Sequence, residues 1–259
     1  MRIALCAEYD GSDFSGWEAQ PRARTVQATL EEALSRVADR PIATVCAGRT
    51  DAGVHALAQV VHFDTEAERA PHAWVLGANS NLPADVSVRW ARPVDEAFHA
   101  RYSAVCRHYR YLILNRRERP ALLRHRAAWE RAPLDVARMQ AGAGHLVGEH
   151  DFTSFRAAAC QAKSPVRTVV RLEVERRGAL VAIDISANAF LQHMVRNVAG
   201  ALLAIGAGKR EPAWAGELLA ARDRTRGEAT APAAGLYLAR IDYPSGHDLP
   251  VVSPEWPLW

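Results

Sequence analysis

Cysteine, lysine and long apolar runs are all scarce in this chain. The four cysteines, Cys6, Cys46, Cys106 and Cys160, stand far apart with no Cys-x-x-Cys spacing. That excludes a zinc ribbon and a disulfide-stapled scaffold, and it leaves reduced thiols, the cytoplasmic condition. No uninterrupted run of 18 apolar residues occurs, so no membrane-spanning helix is expected. The opening stretch reaches Glu8 and Asp10 too early to form the apolar core of a secretory signal, and none is expected. With 16 Gly, 14 Pro, 49% hydrophobic and 24% charged residues, the chain is no collagen, coiled coil or disordered polymer. Its 259 residues are enough for two units with cores of their own.

Of the 32 basic residues only Lys163 and Lys209 are lysine. A GC-rich coding sequence accounts for most of that ratio. The distribution of arginine carries more information than the net charge of +3. Between Phe98 and Arg131 lie arginines 101, 107, 110, 116, 117, 119, 124, 126 and 131, opposed only by Glu118 and Glu130. Tyr102, Tyr109 and Tyr111 interleave with them. Such a stretch suits a phosphate backbone with stackable bases, and a solvated basic face is the competing reading.

Alternation of Ile3, Leu5, Ala7 and Tyr9 predicts a first strand, and Gly11 to Gly16 a loop. Thr25 is placed to cap a helix whose buried face is Val26, Leu30, Leu34 and Val37. Strands are expected at 41–46, 57–64 and 86–94, with a short helix at 73–78. In the second half strands are expected at 105–114, in a hairpin of 167–176 and 179–186, and at 236–243. Helices are expected at 134–147, from Phe190 to about Ile205, and from Pro212. The Pro-rich tail after Tyr243 reads as irregular. Without strict alternation of strand and helix, the pattern is α+β: two similar units of antiparallel sheet backed by helices. The boundary is expected near 95–105, giving domains of 1–103 and 104–259.

The densest chemical signal is Ala47-Gly48-Arg49-Thr50-Asp51-Ala52-Gly53-Val54-His55-Ala56, between two strands. Its glycines permit tight turns and close backbone approach. Asp51 is its one carboxylate, placed to act as nucleophile or base, or simply to sit in a polar turn. Arg49 could hold it ionised, because a nearby cation lowers a carboxylate pKa. His55 has no second histidine at helical spacing, so no metal site is expected. A glycoside hydrolase needs two carboxyl groups across its scissile bond, and here Asp64 and Glu66 come only at the end of the following strand. A non-catalytic RNA-binding module would keep the arginines and aromatics and have no need of Asp51.

The loop resembles the catalytic motif of pseudouridine synthases, and further segments resemble the tRNA pseudouridine synthase A family in order along nearly the whole chain. These are Glu8-Tyr9-Asp10-Gly11 with Phe14-Ser15-Gly16-Trp17, Asn79-Ser80-Asn81-Leu82-Pro83, Phe98-His99-Ala100-Arg101-Tyr102, Arg107-His108-Tyr109-Arg110-Tyr111, His150 to Phe155, Ala189 to Asn197, and Gly235-Leu236-Tyr237-Leu238. The resemblance implies the pseudouridine synthase fold, two ferredoxin-like (RRM-like) halves with antiparallel sheets backed by helices and an active-site cleft. It implies isomerisation of uridine to pseudouridine at positions 38–40 of the tRNA anticodon stem-loop, by base flipping, without cofactor or metal. It gives Asp51 the nucleophile's part and Tyr109 a stacking and proton-transfer part. Arg196 becomes the cation against the aspartate. Arg49 fills the gap left by the flipped nucleotide, and Leu236 lines the uracil pocket. Phe98, His99, Ala100, Arg101 and Tyr102, the stretch Ala159, Cys160, Gln161, Ala162 and Lys163, and Arg69, Arg117 and Glu130 fall at tRNA-contacting positions. The resemblance also implies a homodimer in the cytoplasm, the anticodon arm of tRNA as partner, and no membrane. One departure is His108, where a basic residue is usual before the tyrosine; an imidazole is neutral over much of the physiological range.

Overall fold

A computed structural model describes residues 1–252 of the chain. The last part of the Pro-rich tail, 253–259, lies outside the described residues; before it, Ser245–His247 forms one 3-10 turn. Two compact units emerge among the described residues: Met1–Arg107 joined by residues 237–252, and His108–Leu236. The architecture is α+β, with ten strands and five α-helices among the described residues.

The first unit runs β1 (Arg2–Tyr9), α1 (Val26–Ala38), β2 (Val45–Cys46), β3 (His55–Asp64), α2 (Pro71–Asn81) and β4 (Val86–Val94). Antiparallel pairing sets β1 between β4 and β3, with β2 on β3, the strand order of a ferredoxin-like split βαβ unit. The last strand, β10 (Leu236–Asp242), comes back to this unit and pairs parallel with β3, Tyr237 opposite His55 and Leu238 opposite Ala56. Register pairs Leu5 with Val61 and Ile3 with Phe63, so the inward face of β1 meets apolar partners. Trp74 of α2 is fully buried, edge-on to Phe63 at 5.1 Å, and ties helix to sheet.

The second unit runs β5 (Cys106–Asn115), β6 (Ala128–Glu130), α3 (Val136–Gly144), β7 (Gly148–Asp151), β8 (Val166–Arg177), β9 (Leu180–Ala187), α4 (Met194–Gly206) and α5 (Trp214–Ala221). Its strand order is β5-β9-β8-β7, with β6 parallel on β5. Asp135 caps α3 through its side chain, which accepts from the Arg138 N–H. Helix α4 is buried nearly all round, as its almost unbroken apolar sequence requires.

Several local expectations need correction. The strand expected at 41–46 is only Val45–Cys46. Pro41 has no N–H to give, and the next donors are taken by α1: Ile42 N–H donates to Ser35 Oγ, and Thr44 donates through both N–H and hydroxyl to Glu31 Oε1. The helix expected from Phe190 begins at Met194, because His193 takes the left-handed conformation at φ 63°. Thr25 occupies the N-cap of α1, but its hydroxyl is buried without a partner and makes no capping bond. The helix expected at 134–147 is trimmed to 136–144, and the one expected to open at Pro212 starts at Trp214. The sheets are mixed rather than wholly antiparallel, through the β3–β10 and β5–β6 pairs. The short strands β6 and β7 carry too few residues for alternation to reveal them.

Candidate functional site

In the first unit the eight residues between β2 and β3 form a loop held from beneath by the opening segment. Gly11 lies so close that a Cβ there would sit 2.0 Å from the Val54 carbonyl oxygen. Gly16, at φ +97°, would bring a Cβ within 2.9 Å of the Thr50 carbonyl oxygen. Only glycine suits either place. Hydrogen bonds complete the interlock: Trp17 N–H donates to Thr50 O at 3.0 Å and Gly53 N–H to Phe14 O at 3.3 Å. Inside the loop Val54 N–H donates to Asp51 O at 3.1 Å. At its end His55 is 2% exposed, takes the Gly11 N–H on Nδ1 at 3.1 Å and stacks on Tyr237 at 4.7 Å. Asp51 sits half-buried at the centre of this frame.

Arg49 is exposed and pairs with Glu18 at 2.8 Å. Both side chains are well solvated, so the pair contributes little to stability. Arg107 was read from sequence as part of the basic belt, but it is buried. Its guanidinium donates to the carbonyls of Ala47, Ala104 and Arg101, tying the start of the loop to the segment after Phe98. Arg110, in the second unit, grips Asp184 with two bonds of 2.7 Å. These two arginines are committed to the fold, while 101, 116, 117, 119, 124 and 131 are exposed.

The Phe98–Tyr102 segment divides by burial. Phe98 and Ala100 are fully buried, Phe98 against Tyr243 at 5.1 Å. Tyr102 is 76% exposed and lies over His99 at 4.3 Å, and His99 in turn contacts His62 at 4.8 Å. Nδ1 of His99 accepts from the N–H groups of Arg101 and Tyr102, and Nδ1 of His62 accepts from that of Ala100. Accepting on Nδ1 selects the neutral ring. Burial together with the Arg2 charge pushes His62 down to about 4 and His99 below its ordinary value. Arg69 is exposed and donates to Val37 O and Glu68 O.

In the second unit Tyr109 is 9% exposed, with its ring edge-on to Phe190 at 5.0 Å. His108 next to it exchanges a hydrogen bond with Ser186 at 2.7 Å. Arg196, half-buried on α4, donates from Nε to Ala231 O at 2.8 Å and receives Ala231 N–H on its own carbonyl. Tyr111 donates its hydroxyl to Pro232 O at 2.9 Å. Burial raises that phenol's pKa, so it stays a donor. Gly200 admits the Ala229 carbonyl, which a Cβ would meet at 2.3 Å. Arg224 donates to Asn197 Oδ1, Glu228 O and Thr230 Oγ1, and Asn197 donates to Phe155 O. Arg196 and this cluster hold Glu228, Thr230 and Ala231; Leu236, a few residues on, is 5% exposed.

The loop of Ala159 to Lys163 presents Ala159, Gln161 and Lys163 to solvent and buries Cys160. Burial opposes ionisation of that thiol, yet the N–H groups of Ala162 and Gln192 and the Arg156 guanidinium hold it below the usual thiol range. Arg117 is exposed; Glu130 is half-buried and accepts the Ala132 N–H at 2.7 Å. Sequence reasoning missed Arg107, Gln59, Asn197 and Arg224 as supports. Gln59 was findable: it is the lone amide on the inward face of β3, among His55, Leu57, Val61 and Phe63.

A family model described as tRNA pseudouridine synthase matches residues 5–103 and 143–244. Tyr109 falls between the two matched stretches, while Asp51, Arg196 and Leu236 fall within them. Named relatives cover the chain throughout. The tRNA pseudouridine synthase A of Nitrosococcus oceani is 61% identical over 259 residues, all of both chains. That of Methylococcus capsulatus is 60% identical over 244 residues, 94% of this chain and 90% of the relative. That of Klebsiella pneumoniae is 55% identical over 259 residues, all of this chain and 96% of the relative.

Proposed function

The chain belongs to the tRNA pseudouridine synthase family, and on that premise we propose that it isomerises uridine to pseudouridine in the anticodon stem-loop of tRNA, with Asp51 as the reacting carboxylate. In this isomerisation the bond from ribose C1′ to uracil N1 breaks, the ring turns, and a bond forms from C1′ to C5. N1 gains a proton and C5 loses one, so no electrons are exchanged with any partner. The observation that carries the reading is the Asp51 loop, which has a single carboxylate, half-buried, on a backbone pinned by Gly11, Gly16 and Trp17. A fixed carboxylate can meet a charge developing on ribose or ring without first reorganising.

The other roles follow the family motifs. Tyr109 stacks on the extruded uracil and handles a proton, Arg196 opposes the Asp51 charge, and Leu236 lines the base pocket. Arg49 enters the stack in place of the flipped nucleotide, and its solvated pair with Glu18 is given up at small cost. Arg69, Arg117, Glu130, Phe98 to Tyr102 and Ala159 to Lys163 hold the tRNA. The first unit carries the aspartate loop, and the second carries the tyrosine and the arginine helix. The enzyme acts as a homodimer in the cytoplasm; among the described residues no helix is long and apolar enough to cross a membrane.

The test is incubation with an unmodified tRNA transcript, followed by chemical mapping of pseudouridine. Wild type should modify the anticodon arm and release no free uracil. Asp51→Asn should make no pseudouridine while binding the tRNA within a few-fold of wild type, because many groups carry binding and one carries the chemistry. Full activity in Asp51→Asn would sink the assignment, and released uracil would point to a hydrolase.

A further inference from the structure

Beneath the Asp51 loop lies a chain of buried polar side chains with no part in the roles above. Gln59, on β3, is fully buried. Its Nε2 donates to the Gly48 carbonyl at 2.5 Å and lies 3.5 Å from the Tyr9 hydroxyl. Tyr9, 3% exposed, shares a hydrogen bond of 2.8 Å with Thr50 Oγ1. Thr50 is itself buried, and its carbonyl takes the Trp17 N–H. The loop is thus gripped at Gly48 and at Thr50, on both sides of Arg49 and immediately before Asp51.

We propose that Gln59, Tyr9 and Thr50 are positioning residues that set the Asp51 carboxylate for reaction, an inference that rests on Asp51 being the reacting group. The amide is a poor choice for stability alone. Gln59 Oε1 is buried with no hydrogen-bond partner among the described residues, which disfavours the folded state. An apolar side chain of similar length would fill the same space without that penalty. What the amide adds is the bond to Gly48 and the contact with Tyr9. Linked buried hydrogen bonds of this kind hold one geometry more tightly than isolated ones.

The experiment uses full-length protein and unmodified tRNA transcript, with single-turnover rate, tRNA affinity and melting temperature measured for each variant. Gln59→Met removes the unpaired acceptor and keeps the volume. It should melt within a few degrees of wild type, bind tRNA within about twofold, and form pseudouridine about tenfold more slowly, because small misplacements of a reacting group are costly in rate. Thr50→Val should be slowed similarly and Thr50→Ser should recover most of the rate. Tyr9→Phe combined with Thr50→Val should be no slower than the slower single variant, since both cut the same bond. Wild-type rates in Gln59→Met and Thr50→Val would overturn the proposal, as would rates that merely follow melting temperature across the set. A wild type that makes no pseudouridine would instead defeat the functional reading underneath.

Discussion

Replacing Gly11 by alanine puts a methyl group where the Val54 carbonyl already is. The added carbon would lie 2.0 Å from that oxygen, whereas a relaxed C···O contact is about 3.3 Å, so the two segments must part by about 1.3 Å. The clash is backbone against backbone, and no rotamer relieves it. Val54 is bonded through its N–H to Asp51 O, and Gly11 donates to His55, so the displacement is passed into the loop from both ends. A displacement of about 1 Å passed on to Asp51, the proposed reacting group, costs about 100-fold in rate. Overpacking of this kind lowers stability by about 1–3 kcal/mol, which a 259-residue chain tolerates. Gly11→Ala should therefore fold and bind tRNA within a few-fold of wild type. Its single-turnover rate of pseudouridine formation, measured at saturating enzyme, should fall by about two orders of magnitude. A variant as fast as wild type would refute the claim that the opening segment fixes the loop.

Tyr102→Ala should weaken tRNA binding by about 1–3 kcal/mol in a filter-binding assay, the worth of a base–aromatic stack, while Tyr102→Phe keeps the affinity. Equal affinities for both variants would remove Tyr102 from the interface. His62 gives a pH signature. Its folded value lies near 4 against an ordinary 6.5, so below about pH 6.5 the unfolded chain binds a proton that the folded one refuses. Its contribution of about 3 kcal/mol at neutral pH is lost between about pH 6.5 and 4. Denaturant melts of His62→Asn, which can still accept the Ala100 N–H, should show a flatter decline over that window than wild type.

Much of the fold was legible because alternation and loop chemistry are local. The odd positions of β1, the Asp51 loop between two strands and the apolar length of α4 all stood in the sequence. What escaped reading depended on partners far away. Residues 41–44 have the composition of a strand, but their donors are claimed by Glu31 and Ser35 of α1. The Phe190 start failed on a single left-handed residue, His193, whose conformation no periodicity encodes. Arginines 107 and 110 looked like their neighbours in a basic run, and only the carbonyls and the carboxylate they meet in three dimensions separate them from it. The support beneath Asp51 was half visible: Tyr9 was placed on the correct face of β1, but its meeting with Thr50 depends on strand register.

Tyr237 faces His55 across a parallel pair of strands that lie 182 residues apart in sequence. During synthesis the rest of the first unit can assemble before this margin closes, because the segment that seals it is made only after the whole second unit. Until then the peptide groups at His55 and Ala56, directly after the Asp51 loop, wait without their final neighbour. A nascent polypeptide that has not yet reached Tyr237 would thus have most of its first unit yet lack the brace behind the Asp51 loop.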